Sequence, residues 1–193
     1  MWRVIRLMIL ASGSPRRHEL LKKIVPNFKI EVSDANEELQ STTPIELAIE
    51  NALLKASSVA EKFPSDVVLG ADTIVVLDGE ILLKPVDEND ARMMLRRLAD
   101  REHQVITGLA LVEGDRKLMA YEITKVYFGE MSDEEIANYV ATGEPMDKSG
   151  SYALQGGAAP FIKKIDGDWS NVVGLPLYRL RLLLKQFGGV DNE

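Results

Sequence analysis

Arg6-Leu7-Met8-Ile9-Leu10-Ala11-Ser12-Gly13-Ser14-Pro15-Arg16-Arg17 runs an apolar segment into a glycine-containing turn and then a proline. Arg6 to Ala11 reads as a buried strand. Ser14 suits an N-cap and Pro15 the first helical position, so a helix is expected to about Ile24. A buried strand delivering its chain directly to a helix start is a building block of α/β folds.

The same punctuation continues outward from this stretch. Phe28 to Val32 reads as a strand, followed by an acidic loop from Asp34 to Gln40. Thr43-Pro44-Ile45-Glu46 is a capping box opening a long helix to about Glu61. Val67 to Leu69 is short and apolar, and Thr73 to Leu77 is a β-branched strand turning at Asp78-Gly79 into Glu80 to Leu83. Asp87 caps a helix to about Leu98, and Gln104 to Val112 and Lys117 to Phe128 flank Gly114-Asp115 as a second hairpin. Ser132-Asp133-Glu134-Glu135 opens a helix that Gly143 stops. A glycine-rich loop spans Ser149 to Ala158, and a last helix runs from about Pro176 to Gln186. Phe161 to Ile165 and Trp169 to Val173 are expected as a third hairpin around Asp166-Gly167. Helices alternating with strands, with hairpins interposed, predict a mixed rather than purely parallel α/β sheet.

The chain has 193 residues, 46% of them hydrophobic and 27% charged, which suits one globular domain spanning 1–193. It contains no cysteine, which excludes disulfides, thiolate metal sites and cysteine nucleophiles. Its apolar runs are too short to cross a bilayer, and Met1-Trp2-Arg3-Val4-Ile5-Arg6 lacks the pattern of a signal peptide, so the expected compartment is the cytoplasm, with no membrane partner. A formal charge of −7 argues against nucleic acid as a partner. It leaves open a small anion gathered by a local basic cluster.

Several residues break local rules, and such violations tend to mark functional sites. Arg16 and Arg17 fall in the first turn of a helix, where the dipole disfavours cations but free N–H groups suit a phosphate. They read either as an anion site, with Gly13 admitting close backbone approach, or as a solvated basic turn. Lys55 shares a helix face with Ala48, Ala52 and Val59, and either reaches into a site or lays its stem over the core. Asp72 lies at a strand end among small residues, where α/β sites form, or it is an aspartate bonding its own turn. Gln155 sits in the glycine-rich loop and offers the paired donor and acceptor that read a base edge, unless that loop is only surface. Glu37 and Glu38 supply the oxygens a hard divalent cation wants, or simply a solvated acidic loop; Lys84-Pro85 adds a cation after the first hairpin.

Four segments in order resemble the motifs of the Maf family. They are Leu10-Ala11-Ser12-Gly13-Ser14-Pro15-Arg16-Arg17-His18-Glu19-Leu20-Leu21, Gly70-Ala71-Asp72-Thr73-Ile74-Val75 with Lys84-Pro85, Asp147-Lys148 through Gln155-Gly156, and Asn171-Val172-Val173-Gly174-Leu175-Pro176-Leu177. The resemblance implies a mixed twisted sheet with flanking helices and two lobes around a central cleft, like the inosine triphosphate pyrophosphatases. It implies a house-cleaning enzyme that cuts a nucleoside triphosphate to the monophosphate and pyrophosphate with a divalent metal, Mg²⁺ or Mn²⁺, often as a homodimer. Asp72 would be the proton acceptor and, with Glu37 preferred over Glu38, a metal ligand. Arg16, Arg17, Lys55 and Lys84 would neutralise the triphosphate, and Ser12 would also bind the substrate. Arg16, Thr73 and Gln155 match the branch preferring dTTP and UTP. Ser149, Ser151, Ala153 and Trp169 depart from the family pattern by residues of similar size or character. Two alternatives stand beside this reading: a pyrophosphatase for modified purine nucleotides, and a non-enzymatic nucleotide-binding regulator of septum formation.

Overall fold

The computed structural model describes residues 7–35 and 43–188. Glu37 and Glu38, and with them the expected metal loop, lie outside the described residues.

Strands and helices alternate from the start. Met8–Leu10 (β1), Pro15–Lys22 (α1), Phe28–Ile30 (β2) and Pro44–Ala60 (α2) lead into Val67–Leu77 (β3) and Glu80–Leu82 (β4). Glu88–Leu98 (α3), Glu102–Glu113 (β5), Arg116–Phe128 (β6) and Asp133–Ala141 (α4) follow. Ile162–Asp166 (β7), Trp169–Val173 (α5) and Leu177–Gln186 (α6) complete the order. Among the described residues the sheet has seven strands in the order β2-β1-β3-β5-β6-β7, with β4 on β3. β1 pairs in parallel with both β2 and β3, whereas β3–β4 and β6–β7 are antiparallel, so the sheet is mixed as expected. No helix among the described residues is long and apolar enough to cross a membrane.

The helix starts form through the caps that the sequence announces. Ser14 accepts from the Arg17 N–H, Thr43 from Glu46, Asp87 from Asp90, and Ser132 with Glu135 makes a full capping box. Asp78 and Gly79 both take positive φ, 52° and 83°, the left-handed pair a tight hairpin demands.

Two expectations are corrected. Val67 to Leu69 and Thr73 to Leu77 are one strand: Gly70 does not break β3 but thins it against α2. Trp169 to Val173 is helix α5, not the return strand of a third hairpin. Its β-branched valines read as strand, but Asp168 decides otherwise. The Asp168 carboxylate accepts from the Ser170 N–H at 2.7 Å and its carbonyl accepts from the Asn171 N–H at 3.1 Å, which starts a helical turn. The buried Asn171 then donates to the Val105 carbonyl and to Thr124 Oγ1, both at 3.0 Å, replacing the ladder a strand would have made.

The chain divides into two compact units: residues 1–72, 107–122 and 174–193, and residues 73–106 with 123–173. Strands β3, β5 and β6 each contribute to both. In the first unit Ile9, Ala11, Val68, Ala110 and Val112 pack against Ala52, Ala56 and Val59 of α2. In the second, Leu77, Leu95, Leu98, Val126, Phe128, Ile136 and Tyr152 form a core of larger side chains.

Candidate active site

Asp72 ends the first unit's share of β3 and is only 7% exposed. Burying a carboxylate requires partners, and α2 supplies both. Lys55 Nζ lies 2.7 Å from Oδ1, and the side-chain amide of Asn51 donates to Oδ2 at 3.1 Å. Lys55 thus brings its ammonium to Asp72 rather than laying its stem over the core. Asn51 was passed over in the sequence. Its signal was present: a polar residue one helical turn before Lys55, bounded by Ala48 and Ala52.

The helix approaches this closely because glycine lies beneath it. A Cβ on Gly70 would stand 2.1 Å from the Ala52 carbonyl oxygen, and one on Gly108 would stand 2.1 Å from that of Ala48. Backbone therefore packs on backbone. Gly70 and Asp72, two residues apart on β3, share a sheet face, so the seam that seats α2 also sets the reach of Asn51 and Lys55 to Asp72.

The first unit also holds the turn after β1. The Ala11 N–H extends the parallel ladder to the Leu69 carbonyl at 2.8 Å, so Ser12 follows the point where the β1–β3 pairing stops; Asp72 lies three residues beyond Leu69 inside β3, which runs on to Leu77, and not at a strand end as expected. Arg17 is tied down: Nε donates to the Gly174 carbonyl at 2.8 Å, and a terminal nitrogen donates to Ser12 Oγ at 3.3 Å. His18 Nε2 meets the Ser12 carbonyl at 2.7 Å, which requires the proton on that nitrogen. The side chain of Arg16, half-buried, makes no hydrogen bond or ion pair among the described residues. The two arginines that look alike in the sequence are held differently.

Thr73, Lys84 and Gln155 belong to the second unit. The loop that carries Gln155 docks on the hairpin that carries the other two. Ser149 Oγ donates to the Thr73 carbonyl at 3.4 Å, and the Gly150 N–H donates to the Leu83 carbonyl at 3.3 Å, one residue before Lys84. Gly150, at φ 69°, lies so close to Val75 that a Cβ would stand 2.9 Å from its side chain. Lys84 and Gln155 are exposed. Behind the loop, Tyr152 Oη lies 2.7 Å from His103 Nε2, and both rings pack edge-on against Phe128. Burial lowers His103 to about 4 and pushes Tyr152 upward, so both are neutral near pH 7.

The donor set fits a hard divalent cation only in part. Each Asp72 oxygen accepts one bond from α2, and a carboxylate oxygen has capacity for two. No cluster of three or more His, Asp or Glu residues suited to a metal occurs among the described residues. One protein carboxylate suits Mg²⁺, which commonly takes one or two and fills its shell with phosphate oxygens and water.

A buried carboxylate with cationic side chains in the same unit of an α/β fold, just past the point where a parallel pairing stops, suits a phosphorylated ligand. Residues 7–187 match the Maf-like protein family, and the chain belongs to it. It is 52% identical over 182 residues to a dTTP/UTP pyrophosphatase of Symbiobacterium thermophilum, covering 94% of each chain. It is 49% identical over 185 residues to one of Dictyoglomus turgidum, covering 94% of this chain and 96% of that one. Among solved structures it resembles the Staphylococcus aureus Ham1 protein, with a TM-score of 0.50, 17% identity and coverage of 81% of this chain and 80% of that one, a likeness of fold.

Proposed function

We propose that this protein hydrolyses dTTP and UTP to the monophosphate and pyrophosphate. The observation that carries the reading is Asp72, buried within β3 and gripped on both oxygens by Asn51 and Lys55. The names borne by relatives matching 94% of the chain support the substrate class.

Asp72 orients a water and takes its proton as that water attacks the α-phosphorus, and the α–β anhydride bond breaks with pyrophosphate leaving. Arg16, Arg17, Lys55 and Lys84, with the Ser12 hydroxyl, bind the phosphate oxygens. Reactions of this kind depend mainly on positioning and charge stabilisation. Asp72, with Glu37, would hold a divalent cation, which when bound neutralises phosphate charge. Thr73 and Gln155 meet the base. A hydrogen-bonding pocket discriminates strongly because mismatched polar groups are left unpaired.

The test is a panel of nucleoside triphosphates with pyrophosphate detection, with and without Mg²⁺ or Mn²⁺. Equimolar monophosphate and pyrophosphate from dTTP and UTP, abolished by chelator, is the expected result. Nucleotide binding without pyrophosphate release, or preference for a modified purine, would overturn it.

A further inference from the structure

We infer that Tyr139 and Glu144 are positioning residues for base discrimination, holding the Gln155 loop by its backbone on either side of that glutamine. The inference rests on the reading that Gln155 meets the base. Tyr139 lies on α4, and Glu144 on the short 3₁₀ turn Glu144–Asp147 that follows it. The Ala153 N–H donates to Tyr139 Oη at 3.1 Å, two residues before Gln155. The Gly157 N–H donates to Glu144 Oε2 at 2.9 Å, two residues after it.

The loop is shaped around these two side chains. A Cβ on Gly156 would stand 2.1 Å from Glu144 Oε1, and one on Gly157 would stand 2.8 Å from the Tyr139 ring. Glycine at both positions lets α4 and its turn press into the loop backbone. Glu144 is itself held, because Lys148 Nζ donates to its carbonyl at 2.6 Å. Upstream, Tyr152 is buried against Phe128 and joined to His103, so the loop enters from a fixed point. Gln155 is exposed and makes no hydrogen bond among the described residues. Its placement therefore depends on the backbone carrying it. A preset amide gives up less freedom on meeting a matched base and adapts less to a mismatched one.

The experiment measures kcat/KM for UTP and for CTP, which present opposite donor and acceptor patterns at one base edge. The variants are Tyr139→Phe, Glu144→Ala, Glu144→Gln and Gln155→Ala, each with its melting temperature. Tyr139→Phe and Glu144→Ala are expected to lower the UTP-to-CTP ratio about tenfold, chiefly through KM, as expected when a hydrogen-bonded reader is loosened. Glu144→Gln restores the ratio, since its carbonyl oxygen still accepts from Gly157. An unchanged ratio in Tyr139→Phe and Glu144→Ala, with collapse in Gln155→Ala, would overturn the positioning role and leave the Gln155 reading standing. An unchanged ratio in Gln155→Ala would remove that reading and the inference with it. Proportional loss on both nucleotides would mark Tyr139 and Glu144 as structural supports and overturn it too. Should Glu144→Ala fail to fold, Tyr139→Phe, which deletes one hydroxyl, decides the matter.

Discussion

Asn51 donates its side-chain amide to Asp72 Oδ2 across 3.1 Å, from inside a helix and with only 6% of its surface exposed. Removing one partner of a buried charged acceptor costs about 1.5–3 kcal/mol. Asn51→Leu keeps the branched outline and the number of heavy atoms and removes the donor. It is expected to lower stability by about that amount and kcat by about tenfold, with KM nearly unchanged. Urea unfolding and steady-state kinetics check both, and an unaltered kcat would show that Asp72 needs no orientation from Asn51.

Asp72→Asn keeps the shape of the side chain and removes its basicity. A positioned carboxylate base typically contributes about 10²–10⁴-fold, so kcat should fall by that order while calorimetry still detects nucleotide binding. Lys55, 2.7 Å away, loses its ion-pair partner in this variant, so the melting temperature must be recorded alongside. Parallel loss of binding and turnover would argue for a phosphate-side or structural role instead.

Arg16→Ala and Arg17→Ala should separate. Arg17 binds the Gly174 carbonyl and Ser12 Oγ, so its loss is expected to cost about 1–3 kcal/mol of stability as well as activity. Arg16 has no such bonds among the described residues. Its loss should leave the melting temperature within about a degree and raise KM roughly tenfold, the scale of one charge-assisted contact. Thermal unfolding and kinetics on the two variants give the comparison, and equal melting shifts would contradict it.

His103 makes stability depend on pH. Burial against Phe128 and Tyr152 lowers it from 6.5 to about 4, which the adjacent Glu102 only partly offsets. The folded state therefore binds fewer protons at this site than the unfolded chain. Its contribution is fully present above about pH 6.5 and is lost as pH falls toward 4, by about 3 kcal/mol in all. Urea unfolding at stepped pH values should show that decline, and His103→Gln should flatten it. A profile unchanged by the substitution would place the acid sensitivity elsewhere.

Much of the fold was legible in the sequence because its punctuation is local. Ser14-Pro15, Thr43-Pro44, Asp87 and Ser132 cap the helices they announce, and Asp78-Gly79 turns the hairpin it announces. What stayed hidden depends on partners distant in the chain. Trp169 to Val173 carries strand-like side chains, and it is helical because Asp168 caps it and Asn171 is bonded to Val105 and Thr124. Gly70 looks like a strand break unless it is known that Ala52 lies against it. In the site, Asp72 and Lys55 were legible as polar residues misplaced among small apolar ones. Asn51 carried a weaker form of the same signal, a polar residue beside Ala48 and Ala52, and its role becomes plain only once the carboxylate it meets is in place. The different tethering of Arg16 and Arg17 turns on Gly174, 157 residues along the chain from Arg17, which no local pattern reveals.

Where α2 rests on Gly70 and Gly108, nothing larger than the Ala56 methyl lies between helix and strand to act as a cushion. Core rotamers can rearrange on heating or under mutation elsewhere, but peptide planes in van der Waals contact have nothing to compress. The spacing between the α2 donors and their carboxylate is thus set by direct contact of main chain with main chain, and it should drift less with temperature than spacings set by packed aliphatic groups.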